Sequence, residues 1–213
     1  MKMKTFRVGE RRQFVFSHDV TSIIAAIPPD PDPIWDADRT RQSNPNWQVT
    51  ETRSLIFIWS DNFTHTDERL QSSSLWLAIE PLVRRLEAHF AGRAVRVFIA
   101  NLPAGGSIPA HADGGDLLVP AVNRCHVALE TNPSVEFLIG GEAFTFPIGH
   151  VFEIANVDMH AVTNRGSNRR LHLIVDILPA DYTLRAGIMS PACLEAVLRN
   201  REFHVDSGSG VLV

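Results

Sequence analysis

Arg170-Leu171-His172-Leu173-Ile174-Val175-Asp176 alternates without a break between two kinds of side chain. In an extended segment, Arg170, His172, Ile174 and Asp176 share one face, and Leu171, Leu173, Val175 and Ile177 share the other. Arg124, His126 and Ala128 oppose Cys125, Val127 and Leu129 in the same way. A strand with one wholly apolar face is packed on that side, here against helices from the N-terminal half. The opposite face carries Arg and His where a sandwich core would take aliphatic residues. Such a face either meets water or lines a polar cavity. Recurrence of the Arg and His pair on two strands, with His160 opening a third, favours the cavity.

The same period of two runs through the surrounding text. It predicts strands at 93–101, 124–131, 135–139, 142–146, 150–155, 160–164 and 169–178, with Gly or Pro turns between most of them. Upstream, 52–59 reads as a strand. Ser74 then opens a helix whose stripe is Leu75, Ile79, Leu82, Val83, Leu86 and Phe90, ending at Gly92. Ser17 followed by Val20, Ile23, Ile24 and Ile27 reads as a short capped helix stopped by Pro28-Pro29. Helices first and short strands afterwards predict a mainly β (α+β) chain. The expected core is a double-stranded β-helix, a cupin-like jelly roll, buttressed by the N-terminal helices.

One domain is expected, in three parts. Residues 1–92 hold helices, a strand and a substrate lid; 93–180 form the catalytic core; 181–213 hold a final helix, from Ser190-Pro191 to about Arg199, and a mobile tail. That helix suits a dimer contact or core packing equally, so the oligomeric state stays open.

Composition narrows the function classes. The chain is 45% apolar and 21% charged, enough for a sizeable core. A net charge of −4 with no block of Lys and Arg gives no basic face for nucleic acid. The longest apolar runs, such as Leu55 to Trp59, are too short to span a membrane. Two cysteines, Cys125 and Cys193, make no disulfide framework and suit a reducing compartment. The charged opening MKMKTFRVGERRQF shows no secretory signal, so a cytoplasmic location is expected.

The chemistry is expected at a split polar triplet, His111-Ala-Asp113 and the distant His160. Two imidazoles and a carboxylate on one side of a metal leave the opposite positions open, the facial arrangement of non-haem Fe(II) oxygenases. The His-x-Asp spacing alone says little, because His65-Thr-Asp67 and His204-Val-Asp206 share it. His204 has no histidine after it, and His65 has no His-then-Arg pair in register. Both therefore read as surface polar residues. His111 instead follows the turn Pro103-Ala-Gly-Gly106 and Ile108-Pro109, and Gly114-Gly115 leaves the triplet. Arg170, ten residues beyond His160, is a candidate anchor for an acidic co-substrate.

These residues resemble the aspartyl/asparaginyl β-hydroxylase family of 2-oxoglutarate- and Fe(II)-dependent dioxygenases. The resemblance runs through Pro103 to Asp113, Arg124-Cys-His126-Val-Ala-Leu129, Gly140-Gly-Glu142 and Glu153-Ile154. It continues with Asn156, His160-Ala-Val162-Thr-Asn164-Arg-Gly166 and Arg170 to Asp176. It covers roughly 93–180 and is looser before that. It implies His111, Asp113 and His160 as catalytic iron ligands, and Arg170 paired with the distal carboxylate of 2-oxoglutarate. Arg124 and His126 would line the same co-substrate pocket. Animal members have Gly at the carboxylate position, so Asp113 makes this chain look like the bacterial branch with a complete triad.

The implied reaction hydroxylates an unactivated C–H bond, consumes 2-oxoglutarate and O₂, and releases succinate and CO₂. The substrate expected is an amino acid, free or within a small peptide or metabolite. Trp35, Arg39, Arg41 and Trp47 are candidate contacts from the irregular stretch 28–52, although packing or solvation is the commoner fate of each. Three rival readings stand beside this one: a β-hydroxylase of Asp or Asn residues in a protein, a non-catalytic cupin-like metal-binding module, and a sandwich with no metal.

Overall fold

The computed structural model describes residues 10–43, 51–61, 65–113 and 122–180. Two antiparallel sheets dominate it. The larger holds seven strands in the order β1-β9-β6-β11-β4-β2-β3, and the smaller holds four, β5-β10-β7-β8. In chain order the strands are β1 Arg12–Ser17, β2 Arg53–Trp59, β3 Asp67–Glu68, β4 Gly92–Leu102, β5 Ser107–His111 and β6 Asn123–Glu130. There follow β7 Val135–Ile139, β8 Glu142–Phe144, β9 His150–Ile154, β10 His160–Asn164 and β11 Arg170–Pro179. Two helices, α1 Thr21–Ala26 and α2 Ser74–Phe90, precede the run of strands from β4 onwards.

The two sheets do not close into the expected double-stranded β-helix. Each sheet is open, with β1 and β3 as the edges of one and β5 and β8 as the edges of the other. A closed barrel would require those edges to pair, and they do not. The fold is a strand-rich mixed α/β arrangement of two open sheets. The error has a physical source: alternation reports which face of a strand is buried, whereas closure depends on which edges meet, a non-local property.

The faces follow the alternation. Leu171, Leu173, Val175 and Ile177 of β11 and Cys125, Val127 and Leu129 of β6 share one core with Ile23 of α1 and Leu75, Ile79, Leu82, Val83 and Leu86 of α2. The helices thus cover the apolar face of the large sheet. A second core joins the two sheets, with Leu102, Ala128 and Phe152 from one meeting Ile108, Phe137, Ile139 and Val162 from the other. The polar residues of β6 and β11 lie between the sheets. Arg124, His126, Arg170, His172 and Asp176 are 8%, 5%, 1%, 1% and 0% exposed, so that face is enclosed and not solvated.

Ser17 does not open a helix. It ends β1, a strand absent from the periodicity reading, and pairs with His150 at the edge of the large sheet. Asp19 instead organises the turn into α1, its Oδ1 accepting from Thr21 N at 3.0 Å and from Thr21 Oγ1 at 2.6 Å. Ser73, one residue before the expected start, caps α2 by accepting from Trp76 N at 3.1 Å. The helix ends on Ala91 in the left-handed region, φ 47°. A Cβ is disfavoured there. Ala91→Gly is therefore expected to stabilise the chain by about 1 kcal/mol, read as a higher urea midpoint at unchanged slope. Gly92 has no such freedom, because a Cβ on it would lie 2.4 Å from Leu178 O of β11. The final helix expected near 190–199 falls outside the described residues.

Candidate metal centre

His111 ends β5 and His160 begins β10, and the register of that pair sets the two directly opposite one another. Their rings lie 4.2 Å apart. Asp113 follows β5, its backbone N–H donating to Asn156 O at 3.0 Å just ahead of β10. The carboxylate is thereby carried between the imidazoles. Oδ1 lies 3.8 Å from His111 Nε2, and Oδ2 lies 3.8 Å from His160 Nε2. One ligand atom from each residue can be chosen so that all three lie within 4.8 Å of one another. Among the described residues this is the set able to hold a metal ion.

The ring tautomers suit that role. His111 Nδ1 lies 2.8 Å from Pro109 O, and His160 Nδ1 lies 2.9 Å from Asp158 O. A carbonyl only accepts, so each Nδ1 carries a proton, and it is Nε2 of each ring that faces Asp113. Burial and the neighbouring His160 both lower the His111 pKa, which keeps the ring neutral. Burial alone would raise the Asp113 pKa, but the charge of Arg124 outweighs it and holds the carboxyl far below its ordinary range.

Behind the triplet lies a second polar group. Arg124 donates from Nη1 to Asp113 Oδ2, and from Nε and Nη2 to the two oxygens of Asp176, both at 2.7 Å. Arg170, at the start of β11, is 1% exposed, and its Nε and Nη2 have no hydrogen-bond partner. Its guanidinium sits 5.4 Å from the centre of the Phe137 ring. Burial, together with the charge of Arg41, pulls its pKa down to about 9. Buried donors are rarely left bare, because each unmade bond costs about 1–3 kcal/mol. A guanidinium in this state matches a carboxylate that enters from outside. His126 Nδ1 and His172 Nδ1 are likewise buried without a partner, beside Phe137 and Phe146. Burial and Arg170 lower both imidazole pKa values well below the usual, so both rings are neutral.

The family model described as aspartyl/asparaginyl beta-hydroxylase matches residues 39–179. The chain belongs to this hydroxylase family. No curated protein matches it. Among solved structures, it is similar to a 2OG-Fe(II) oxygenase family oxidoreductase from Burkholderia pseudomallei, at 15% identity and TM-score 0.48. That match covers 60% of this chain and 66% of the other, just under two thirds of its length. A Pseudomonas putida prolyl-4-hydroxylase is similar at 11% identity and TM-score 0.48, covering 81% of this chain and 94% of that one. The viral collagen prolyl hydroxylase of Paramecium Bursaria Chlorella virus-1 follows at 13% identity and TM-score 0.46, covering 80% and 97%.

In this β-hydroxylase family member, His111, Asp113 and His160 come together as the spacing suggested, and Arg124, His126 and Arg170 lie on the enclosed face with Asp176. The His65-Thr-Asp67 pair does not join them. His65 and Asp67 form an exposed pair at 3.4 Å, and His204 lies outside the described residues. Of the four candidate substrate contacts, Trp35 is fully buried in the helix-facing core, where its Nε1 donates to Pro29 O at 3.0 Å. Arg39 is exposed, and Trp47 lies outside the described residues. Among the described candidates, Arg41 is the one both buried and near the site. It donates to Ser54 Oγ at 2.6 Å, stacks 4.3 Å from the Phe98 ring, and feels the charges of Arg124, Asp113 and Asp176. Sequence reasoning passed over the bond from Arg124 to Asp113. Nothing in the spacing marks it, since it depends on where the chain after β5 falls against β6.

Proposed function

We propose that the protein is an Fe(II)- and 2-oxoglutarate-dependent dioxygenase that hydroxylates an unactivated C–H of an amino acid, free or within a small peptide or metabolite. The observation that carries this reading is the pairing of a three-ligand set, His111, Asp113 and His160, with the buried guanidinium of Arg170, whose Nε and Nη2 have no hydrogen-bond partner. The donor set fits ferrous iron: two imidazole nitrogens and one carboxylate, leaving other positions open. Bound iron would supply the oxygen chemistry, in which one atom of O₂ goes to succinate and the other to the substrate, with loss of CO₂.

The chain's own residues have separate tasks. His111 and His160 keep their protons at Nδ1, fixed on Pro109 O and Asp158 O, and so keep Nε2 available. Arg170 binds the distal carboxylate of 2-oxoglutarate, exchanging two bare donors for two charge-assisted bonds. Arg124 has three N–H groups engaged by Asp113 and Asp176, which leaves two for the co-substrate. His126, neutral and packed against Phe137 and Phe146, lines the same pocket and helps to keep water from it. No acid–base pair is needed, because these residues orient and enclose. Asp113, present where animal members have Gly, supports placing the chain in the branch with a full set of ligands.

Substrate choice rests on Arg41. Its neighbourhood is an apolar patch of Ile56, Phe98, Ala100 and Ile174 with Trp59 against it. A carboxylate beside an aliphatic or aromatic portion suits that setting, as an amino acid or a short peptide provides. Arg41→Gln is expected to raise the substrate KM at least about tenfold with the Co(II) affinity unchanged.

Succinate release with iron, ascorbate and a panel of the twenty amino acids tests the function. Stoichiometric succinate with any of them, or slow uncoupled succinate without them, supports it. A chain that binds Co(II) but forms no succinate under any condition is a binding module and overturns the reading.

A further inference from the structure

Asp176 lies in β11, fully buried, opposite Arg124 of β6 in the ladder. Residues opposite one another in adjacent strands share a face, so the carboxylate and guanidinium meet between the sheets. Their contact is a two-pronged fork, Nε to Oδ1 and Nη2 to Oδ2, each at 2.7 Å. Such a fork fixes the plane and direction of a guanidinium. The remaining nitrogen, Nη1, therefore has little choice of partner, and it lands on Asp113 Oδ2.

We propose that Asp176 is a positioning residue for the metal centre. It clamps Arg124 so that Nη1 occupies Oδ2 of Asp113, leaving Oδ1 as the oxygen offered to the ion. This rests on the metal reading above. Two physical points support it. A buried ion pair is weakly justified by stability alone, because well-packed apolar residues in its place are often as stable or more so. Charge gives the second. An unclamped Arg124 would compete with a dication for Asp113 and repel it, and the Asp176 carboxylate neutralises that charge beside the ion. Outer partners of metal ligands act in this manner, and their loss typically weakens metal affinity 10–100-fold.

The test is Co(II) titration of the full chain, followed by visible absorption, with thermal melts of each variant. Asp176→Asn keeps the shape and removes the charge, and Co(II) should bind it tenfold to a hundredfold more weakly than wild type. Arg124→Lys, which cannot span both carboxylates, should weaken binding comparably. In an Arg124→Gln background, adding Asp176→Asn should change the Kd less than threefold, because the route through the guanidinium is already cut. A structural role alone would lower the melting temperature and leave the Kd in place. Wild-type affinity in folded Asp176→Asn overturns the proposal, as does a full Asp176 effect in the Arg124→Gln background. Should Asp176→Asn not fold, wild-type affinity in Arg124→Lys overturns it equally. Wild-type chain that takes up no Co(II) removes the metal reading as well, which separates the two failures.

Discussion

Arg170→Met is expected to raise the KM for 2-oxoglutarate about a hundredfold or more while making the empty protein more stable. The first effect follows from losing a buried charge-assisted pair, worth about 2–5 kcal/mol when one partner is truncated. The second follows from the guanidinium's condition without co-substrate: 1% exposed, with two nitrogens bare. Methionine fills much of that volume beside Phe137 without an unmet donor. Co-substrate titrations by succinate release and urea unfolding of the metal-free chain read the two effects separately. Loss of stability together with an unchanged KM would mean that Arg170 serves packing, and the co-substrate assignment would be withdrawn. The opposed signs make the result diagnostic, because few substitutions at a structural site weaken binding and strengthen folding together.

His160→Ala and Asp113→Ala are expected to abolish succinate formation, with a loss of at least about a thousandfold, and to remove Co(II) uptake at micromolar concentration. The reason is additive geometry: three ligand atoms within 4.8 Å of one another form a site, and two do not hold the ion against water. Asp113→Ala has a further consequence. It leaves Arg124 neutralised by Asp176 but with Nη1 unmet, so its folded state should also lose stability, by about 1–3 kcal/mol. His160→Ala removes no ion-paired charge of that kind and should melt closer to wild type. Equal activity of either variant with the parent chain would defeat the ligand assignment.

Much of the site was legible because strands obey a strict alternation. Arg124, His126, Arg170, His172 and Asp176 could be placed on one face from the text, and the structure encloses that face. Leu171, Leu173, Val175 and Ile177 could be placed on the other, and they lie under α1 and α2. The His111 and His160 pairing was legible only as a suggestion, since its proof is a register between β5 and β10. Strand β1 escaped notice because Arg12–Ser17 is an edge strand with mixed burial, so its alternation is weak. Arg41 and Trp35 show the limit of reading an irregular stretch. The same text holds a tryptophan buried in the helix-facing core and an arginine buried against Ser54, and no local rule separates them.

From its order of residues alone, this chain determined the position and type of most strands, the polar identity of one face, and the chemical kinds of ligand available. Those are local properties, set by side-chain alternation and by the atoms each residue carries. The tertiary structure decided what is non-local: two sheets left open instead of closed, Asp113 drawn against Arg124, Asp176 forked to that arginine, and Arg41 buried against Ser54 while Arg39 stays exposed. Each of those outcomes depends on which edge meets which and where a loop lands, and such choices are governed by the packing of the whole chain.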